Sequence, residues 1–308
     1  MSVSVIIPTY NAQKYLPTLL DRLSNQTISF ELIIIDSSST DKTIDIAKKY
    51  TNKIVTIPKS EFDHGATRSK ALMEASGDIV VFLTQDALPV SNNTIEKLVD
   101  VLKKNRDVAV VYGRQIPYPD ASLFGRHLRE FNYKDRSYIR SFKDKDSFGI
   151  KTAFCSDSFA AYKKDAIRSV KFFKAGTIVG EDMHLAARLL LKGYKKAYCA
   201  DAAVYHSHNY TIWQDFKRYF DTGVFHVCEP WLIEKFGKAE GEGKKFIKSE
   251  LNFLIKNKAY HKLPEFVIRN AFKLIGYKLG KKYKMLPKPL AKSLSMHKSW
   301  WDRWYDSY

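Results

Sequence analysis

An α/β fold with a mostly parallel central sheet, carrying a basic and mainly helical C-terminal extension, is what three features of this sequence predict. Short apolar runs alternate with apolar residues at helical spacing through residues 3–112, the pattern of consecutive β-α-β units. The runs stop abruptly at Pro8, Asp36 and Thr84, so polar residues gather where strands end. Positive charge comes late: of a net +18, residues 235–298 supply +13, from 17 basic and four acidic residues. A hydrophobic content of 45% supports a buried core and excludes a disordered or collagen-like polymer.

Taken in order, residues 3–7 and 32–35 read as buried strands, and Tyr15, Leu16, Leu19, Leu20 and Leu23 between them mark a helix, which makes a parallel pair. Residues 40–50 read as a helix with a Ser/Thr start, 54–57 as a strand, 66–76 as a helix closed by Gly77, and 79–83 as a strand. A helix over 95–102 and a strand over 108–112 repeat the pair. Residues 113–150 hold Pro117, Pro119 and a mixed charge run over 134–146, and they read as a long connection or lid. Regularity returns with a strand over 159–162, a helix over 181–192 stopped by Gly193, and a short strand over 202–205. Over 246–279, Phe246, Phe253, Leu254, Phe266, Ile268 and Phe272 alternate with lysines in two amphipathic helical stretches parted near Pro264. The division expected is a body of residues 1–230 and an extension of 231–308.

Cys155, Cys199 and Cys228 are odd in number and lack CxxC spacing, so no disulfide framework or zinc knuckle is expected and a reducing cytosol is. The N-terminus has neither the basic start nor the apolar stretch of a signal peptide. No window approaches the roughly 20 apolar residues that span a bilayer. The chain is expected to be soluble or surface-bound.

In an open α/β sheet, ligands gather at the carboxyl ends of the strands. Those positions are Pro8-Thr9-Tyr10-Asn11, Asp36-Ser37-Ser38-Ser39 and Thr84-Gln85-Asp86. No GxGxxG follows the first strand and no GxxxxGK[ST] occurs, which argues against dinucleotide redox chemistry and P-loop hydrolysis. Asp36 has two roles open to it, accepting the imide N–H of a uracil or thymine or capping the turn it begins. Arg68 is suited to pair with phosphate. Asp86 is placed either to hold a divalent cation or to form a turn before Ala87-Leu88-Pro89, and His206 or His208 either completes a metal sphere or is a satisfied buried ring. Glu181 and Asp182 start a helix, where carboxylates suit the dipole; an ionised Asp182 would equally serve as a general base. The basic charge lies outside the α/β body and no recognition motif accompanies it, so nucleic acid is not the expected partner.

Together these pieces are more specific than any one of them. Val5-Ile6-Ile7-Pro8-Thr9-Tyr10-Asn11, Ile34-Ile35-Asp36-Ser37-Ser38-Ser39-Thr40-Asp41, and Gly180-Glu181-Asp182 with Leu191-Lys192-Gly193-Tyr194 resemble family 2 glycosyltransferases of the Rossmann-like GT-A fold. Phe62-Asp63-His64-Gly65-Ala66-Thr67-Arg68, Phe82-Leu83-Thr84-Gln85-Asp86-Ala87 and His206-Ser207-His208-Asn209-Tyr210-Thr211 are similar to the bacterial rhamnosyltransferase branch. The resemblance covers about residues 1–230 and implies inverting transfer of a sugar from a nucleotide diphosphate, with dTDP-β-L-rhamnose the first donor and UDP-galactose or UDP-glucose the alternatives. It places Thr9, Tyr10, Asn11, Asp36, Ser38, Arg68, Gln85 and Asp86 around the donor and makes Asp182 the base. Asp86 with His206, His208 in reserve, would hold Mg²⁺ or Mn²⁺. Family members commonly carry Asp-x-Asp where this chain has Thr84-Gln85-Asp86, so one carboxylate maps. The Gln/Arg-x-x-Arg-Trp motif of processive synthases is absent, which favours addition of a single sugar. The likeness further implies a lipid-linked saccharide acceptor in cell-surface polysaccharide synthesis, and a cytoplasmic protein peripheral at the inner face of the plasma membrane. The basic extension either meets anionic lipid or packs on the body or on a second subunit, as in a homodimer.

Overall fold

The computed structural model describes residues 1–238 and 241–308. Among these described residues nine strands form one sheet: β1 (Val3–Thr9), β2 (Glu31–Asp36), β3 (Ile54–Thr56), β4 (Ile79–Leu83), β5 (Leu88–Pro89), β6 (Val108–Ile116), β7 (Tyr138–Arg140), β8 (Phe159–Lys163) and β9 (Lys195–Tyr205). Their order is β3-β2-β1-β4-β8-β6-β9-β5, with β7 also on β9. Strands β3, β2, β1, β4, β6 and β9 run one way, and β8, β5 and β7 oppose them. The carboxyl ends of the six parallel strands therefore share one edge, and the chain reverses its winding between β1 and β4, where a crevice opens.

The helices are α1 (Leu16–Ser24), α2 (Thr43–Ala47), α3 (His64–Glu74), α4 (Thr94–Lys104), α5 (Leu123–Asn132), α6 (Lys145–Phe148), α7 (Lys164–Ser169), α8 (Glu181–Leu191), α9 (Ile212–Cys228), α10 (Pro230–Phe236), α11 (Glu242–Lys256), α12 (Leu263–Gly280), α13 (Lys288–Leu294) and α14 (Lys298–Arg303). Both faces of the sheet are covered, which is why its strands are apolar without alternation. Val5 and Ile7 of β1 pack with Leu16, Leu19 and Leu20 of α1 and Ile95 and Leu98 of α4. Ile6, Ile33 and Ile35 face the other way, into Ala71 and Leu72 of α3 and Leu185 and Leu189 of α8. Each such side chain, fully buried, is worth about 1.5–3 kcal/mol.

A third core joins the C-terminal region to the body. Phe216, Phe220 and Phe225 of α9 enclose Leu232 and Phe236 of α10, then Tyr283, Trp300 and Trp301. The Trp300 indole N–H donates to the Gly176 carbonyl, and Arg303 donates to the Ser60 and Phe62 carbonyls at 3.0 and 3.1 Å. The extension thus buries its aromatic residues against the body. All three cysteines are free.

Three elements differ from the sequence-based expectation. Residues 113–150 are not a structureless lid: β6 runs on to Ile116, α5 follows, and β7 pairs with β9. Arginines between Phe124, His127 and Phe131 hide the helical period of α5, whose Phe124 and His127 are buried. The helix expected over 40–50 shrinks to α2, because Asp41 is drawn into the turn, accepting from the Thr43 and Gln13 N–H groups at 3.0 Å each. The short strand at 202–205 is the end of the eleven-residue β9, whose register against β6 shifts beside Gly113 and so breaks the apolar pattern.

Candidate active site

Local hydrogen bonding shapes the loops after β1 and β2. Asp36 is fully buried; its Oδ1 accepts from the hydroxyls of Thr9 (2.8 Å) and Ser39 (2.6 Å), and its Oδ2 from the Ser39 N–H (2.7 Å). These are the bonds of a turn cap. Asn11 and Ser38 sit at φ +46° and +56°, a left-handed conformation that side chains other than glycine rarely adopt. Asn11 is held there by accepting the Thr40 N–H at 2.9 Å, and Ser38 by donating to the Ile57 carbonyl at 2.8 Å. Gln85, the residue before Asp86, clasps the Tyr10 backbone: its Oε1 accepts the Tyr10 N–H (2.9 Å) and its Nε2 donates to the Tyr10 carbonyl (3.2 Å). The Tyr10 ring stays exposed with the Lys59 ammonium 4.3 Å from its centre.

At the ends of β4 and β9 the fold brings Asp86, His206 and His208 together, their ligand atoms all within 4.8 Å of one another. Asp86 Oδ1 lies 3.5 Å from His206 Nε2 and Oδ2 3.8 Å from His208 Nδ1, too far for good hydrogen bonds. The tautomer of His206 follows from its other side. Gln115 Oε1 accepts from Arg129 at 2.7 Å and lies 2.8 Å from His206 Nδ1, so Nδ1 carries the proton and the neutral ring turns the Nε2 lone pair toward Asp86. Burial holds both imidazoles toward the neutral form, His208 down to about 4. Asp86 is only partly buried, and its carboxyl falls well below the usual carboxylate range when these imidazoles carry protons that hydrogen-bond and attract it. A lone pair facing a carboxylate across this gap is repulsive unless a cation lies between them, and the spacing fits an ion about 2.1 Å from each donor. The site fits a divalent metal.

The start of α8 builds a different environment. Gly180 stands at φ +74°, which sets the turn that presents Glu181 and Asp182 in the first turn of the helix. Arg68 on α3 reaches across, its Nε 3.1 Å from Asp157 and one terminal nitrogen 3.0 Å from Glu181, with a further bond to the His64 carbonyl at 3.1 Å. The guanidinium is 5% exposed and cancelled by these carboxylates, so the expectation of a free phosphate-pairing cation gives way to a buried brace. Asp182 accepts the Asp157 N–H at 3.1 Å. Burial, and then the negative charges of Glu181 and Asp157, push its carboxyl well above the usual range, while burial pushes Asp157 up to about 6.

Two cavities meet at the cluster of Asp86, His206 and His208. One, of about 480 Å³, is lined by Asp182, Arg68, His206, His208, Arg129 and Arg218. The other, of about 530 Å³, is lined by Asp86, Gln85, Lys14, Tyr15, Tyr118 and His208. Met296 and His297, from the far end of the chain, also line the first cavity; His297 packs edge-on against His64 with ring centres 5.3 Å apart. The buried Asp221 of α9 fixes that segment by accepting the Met296 N–H at 2.9 Å. The sequence reading missed Gln115, Arg129, Asp157 and His297. Gln115 lies at the end of a strand read four residues too short, which a full-length β6 would have exposed to the strand-end rule. Asp157 and His297 carry no local signal.

A sequence profile of Glycosyl transferase family 2 matches residues 4–171. The chain is 47% identical over 307 residues to the O-antigen chain rhamnosyltransferase WbaN of Salmonella anatum, covering 98% of this chain and 96% of that one. It is 44% identical over 305 residues to the O-antigen chain rhamnosyltransferase RfbN of Salmonella typhimurium, with the same coverage. Among solved structures it is similar in fold to the mannosyltransferase PcManGT of Pyrobaculum calidifontis, at a TM-score of 0.58 and 19% identity over 97% of this chain and 84% of that one. Residues 1–349 of S. aureus TarS give a TM-score of 0.56 at 18% identity, over 96% and 84%.

Proposed function

The chain belongs to glycosyl transferase family 2, and from that premise we propose that it moves L-rhamnose from dTDP-β-L-rhamnose, with inversion, to a saccharide hydroxyl in bacterial cell-surface polysaccharide synthesis. The observation that carries the proposal is the junction of Asp86, His206 and His208 with a cavity walled by Asp182. In this reading the thymine and ribose lie along Thr9, Tyr10, Asn11, Asp36 and Ser38, held in shape by Gln85. The diphosphate lies toward Asp86, with Arg129 and Arg218 in the same cavity and Arg68 bracing the wall behind it. Asp86 and His206, with His208, would hold Mg²⁺ or Mn²⁺, whose chemistry there is to neutralise the departing diphosphate.

Asp182 takes the proton of the acceptor hydroxyl as that oxygen attacks C1 of the sugar, and the bond from C1 to the nucleoside diphosphate breaks on the opposite face. One displacement converts a β-L-rhamnosyl donor into an α-L-rhamnoside. Burial and the charges of Glu181 and Asp157 raise the Asp182 carboxyl well above the ordinary range, which makes its ionised form a stronger base. It becomes a base as pH rises through that elevated value, so transfer climbs with pH and is lost on acidification. The acceptor is proposed to be lipid-linked, and the protein to work in the cytoplasm, peripheral to the inner face of the membrane, with residues 1–230 as the catalytic body and 231–308 as the part that meets the anionic surface. No helix among the described residues is long and apolar enough to cross a membrane.

A panel of nucleotide sugars, scored for enzyme-catalysed donor hydrolysis without acceptor, tests the donor. dTDP-β-L-rhamnose should be consumed. Consumption of UDP-galactose or UDP-glucose with dTDP-rhamnose spared overturns the donor assignment, and hydrolysis of none overturns the site.

A further inference from the structure

Helix α12 is built inside out. Its inward face carries Arg269 and Lys273, both buried, and its outward face carries Val267, Ile268, Leu274 and Ile275, which are 62%, 46%, 54% and 49% exposed. With Ala271 these residues stand at i, i+1, i+4, i+7 and i+8, one continuous apolar stripe on the solvent side. By contrast Leu16, Leu19, Leu20 and Leu23 of α1 are at most 2% exposed.

The inward charges explain how the inversion is tolerated. Arg269 donates to Asp215, to Glu265 at 2.7 Å and to the Tyr210 carbonyl at 2.9 Å, and Lys273 lies 3.9 Å from Glu250. The same face brings α12 against the α9 backbone through small residues. A Cβ added at Gly280 would lie 2.0 Å from the Phe220 carbonyl oxygen, one at Gly276 2.4 Å from that of Phe216, and one at Gly223 2.4 Å from that of Tyr277. Glycine is required at all three, so α12 cannot roll to hide its stripe without losing these contacts and ion pairs.

We infer that this outward face of α12 is a docking surface for an anionic lipid bilayer. The inference rests on the proposed membrane role of the extension and names the face that performs it. Charge complementarity selects the occupant. Lys256 and Lys258 precede the stripe, Lys278, Lys281 and Lys282 close it, and all five are exposed and form no ion pair with any described residue. An apolar stripe between exposed ammonium groups is the pattern of a helix lying in a headgroup boundary. A second copy laid on the same face would set these lysines against one another, whether the helices cross parallel or antiparallel. The placement also has a use. Arg218, Thr222 and His226 of α9 line the cavity of Asp182, and α12 packs on the same helix, so α9 alone links the catalytic wall to the helix that carries the stripe.

The test is sedimentation of the full chain with vesicles of phosphatidylcholine alone or mixed with phosphatidylglycerol, comparing wild type with Val267→Glu/Leu274→Glu and with Lys278→Gln/Lys281→Gln/Lys282→Gln. Both variants change exposed side chains, and unaltered thermal unfolding and donor hydrolysis verify that they fold. Wild type should pellet with the anionic vesicles and release in high salt. The apolar variant should lose at least about tenfold in partitioning, and the lysine variant should lose affinity together with its salt dependence. If wild type pellets and the apolar variant pellets equally, the α12 assignment falls while the membrane reading survives. If wild type does not pellet, both fall. If wild type is a dimer that Val267→Glu/Leu274→Glu dissolves, the stripe is a self-interface and the inference is overturned.

Discussion

Asp86 and Asp182 line adjoining walls of one crevice, and their surroundings push them in opposite directions. Asp86 stands between two imidazoles, and positive charge at the site, as protons on these rings or a cation in their place, holds its carboxyl well below the ordinary range. Asp182 stands beside Glu181 and Asp157, and its carboxyl is held well above it. The difference separates their jobs: a carboxylate whose charge is favoured suits a cation ligand, and one whose charge is opposed suits an acid–base group. Residue type does not distinguish them; the neighbours do.

The largest effect is expected at Asp182. Asp182→Asn should lower kcat by about 10²–10⁴-fold while nucleotide-sugar affinity, measured by calorimetry, stays near wild type. The same variant sharpens the comparison through stability. A carboxyl whose folded pKa exceeds its unfolded value contributes fully below the unfolded value and loses that contribution as pH rises through the folded one. Asn mimics the protonated form, so Asp182→Asn should melt higher than wild type at alkaline pH and alike at acid pH. A variant that melts lower at every pH would make helix capping the main role of Asp182.

Removal of the cation comes next. Excess EDTA should stop transfer and Mn²⁺ should restore it, and Asp86→Ala should abolish the Mn²⁺ binding seen by titration with paramagnetic detection. Full activity in EDTA would refute the metal assignment. A smaller loss is expected at Gln115, which fixes the His206 tautomer without touching the ion: Gln115→Leu should weaken Mn²⁺ binding by about 10–100-fold, and Gln115→Glu, which keeps the acceptor, should restore most of it. Equal loss in both variants would reduce Gln115 to packing.

The mildest perturbation is Glu181→Gln, which removes a negative charge beside Asp182 and leaves Arg68 less neutralised. Both changes favour the ionised base, so the acid limb of the kcat/KM profile should move to lower pH. A limb that stays in place would assign it to a group that does not feel Glu181, which sets aside Asp157 as well as Asp182.

Much of this was written in short stretches of chain. The apolar runs ending in Pro8-Thr9-Tyr10-Asn11, Asp36 and Thr84-Gln85-Asp86 dictate buried strands and place their polar ends together, because a parallel sheet aligns its carboxyl edges whatever packs on its faces. The glycine of Gly180-Glu181-Asp182 likewise dictates its own turn. Partners drawn from distant chain were decided only on folding. Asp36 accepts from Thr9, which folding brings beside it from the preceding strand; Arg68 is claimed by Asp157 and Glu181. His297 meets His64 across more than two hundred residues of sequence. The amphipathic period of α12 was legible, but not which face turns outward. That was settled by Gly223, Gly276 and Gly280 allowing backbone approach, and by Asp215, Glu265 and Glu250 neutralising the buried cations. Periodicity fixes which residues share a face, whereas burial of a face depends on what the rest of the chain offers it.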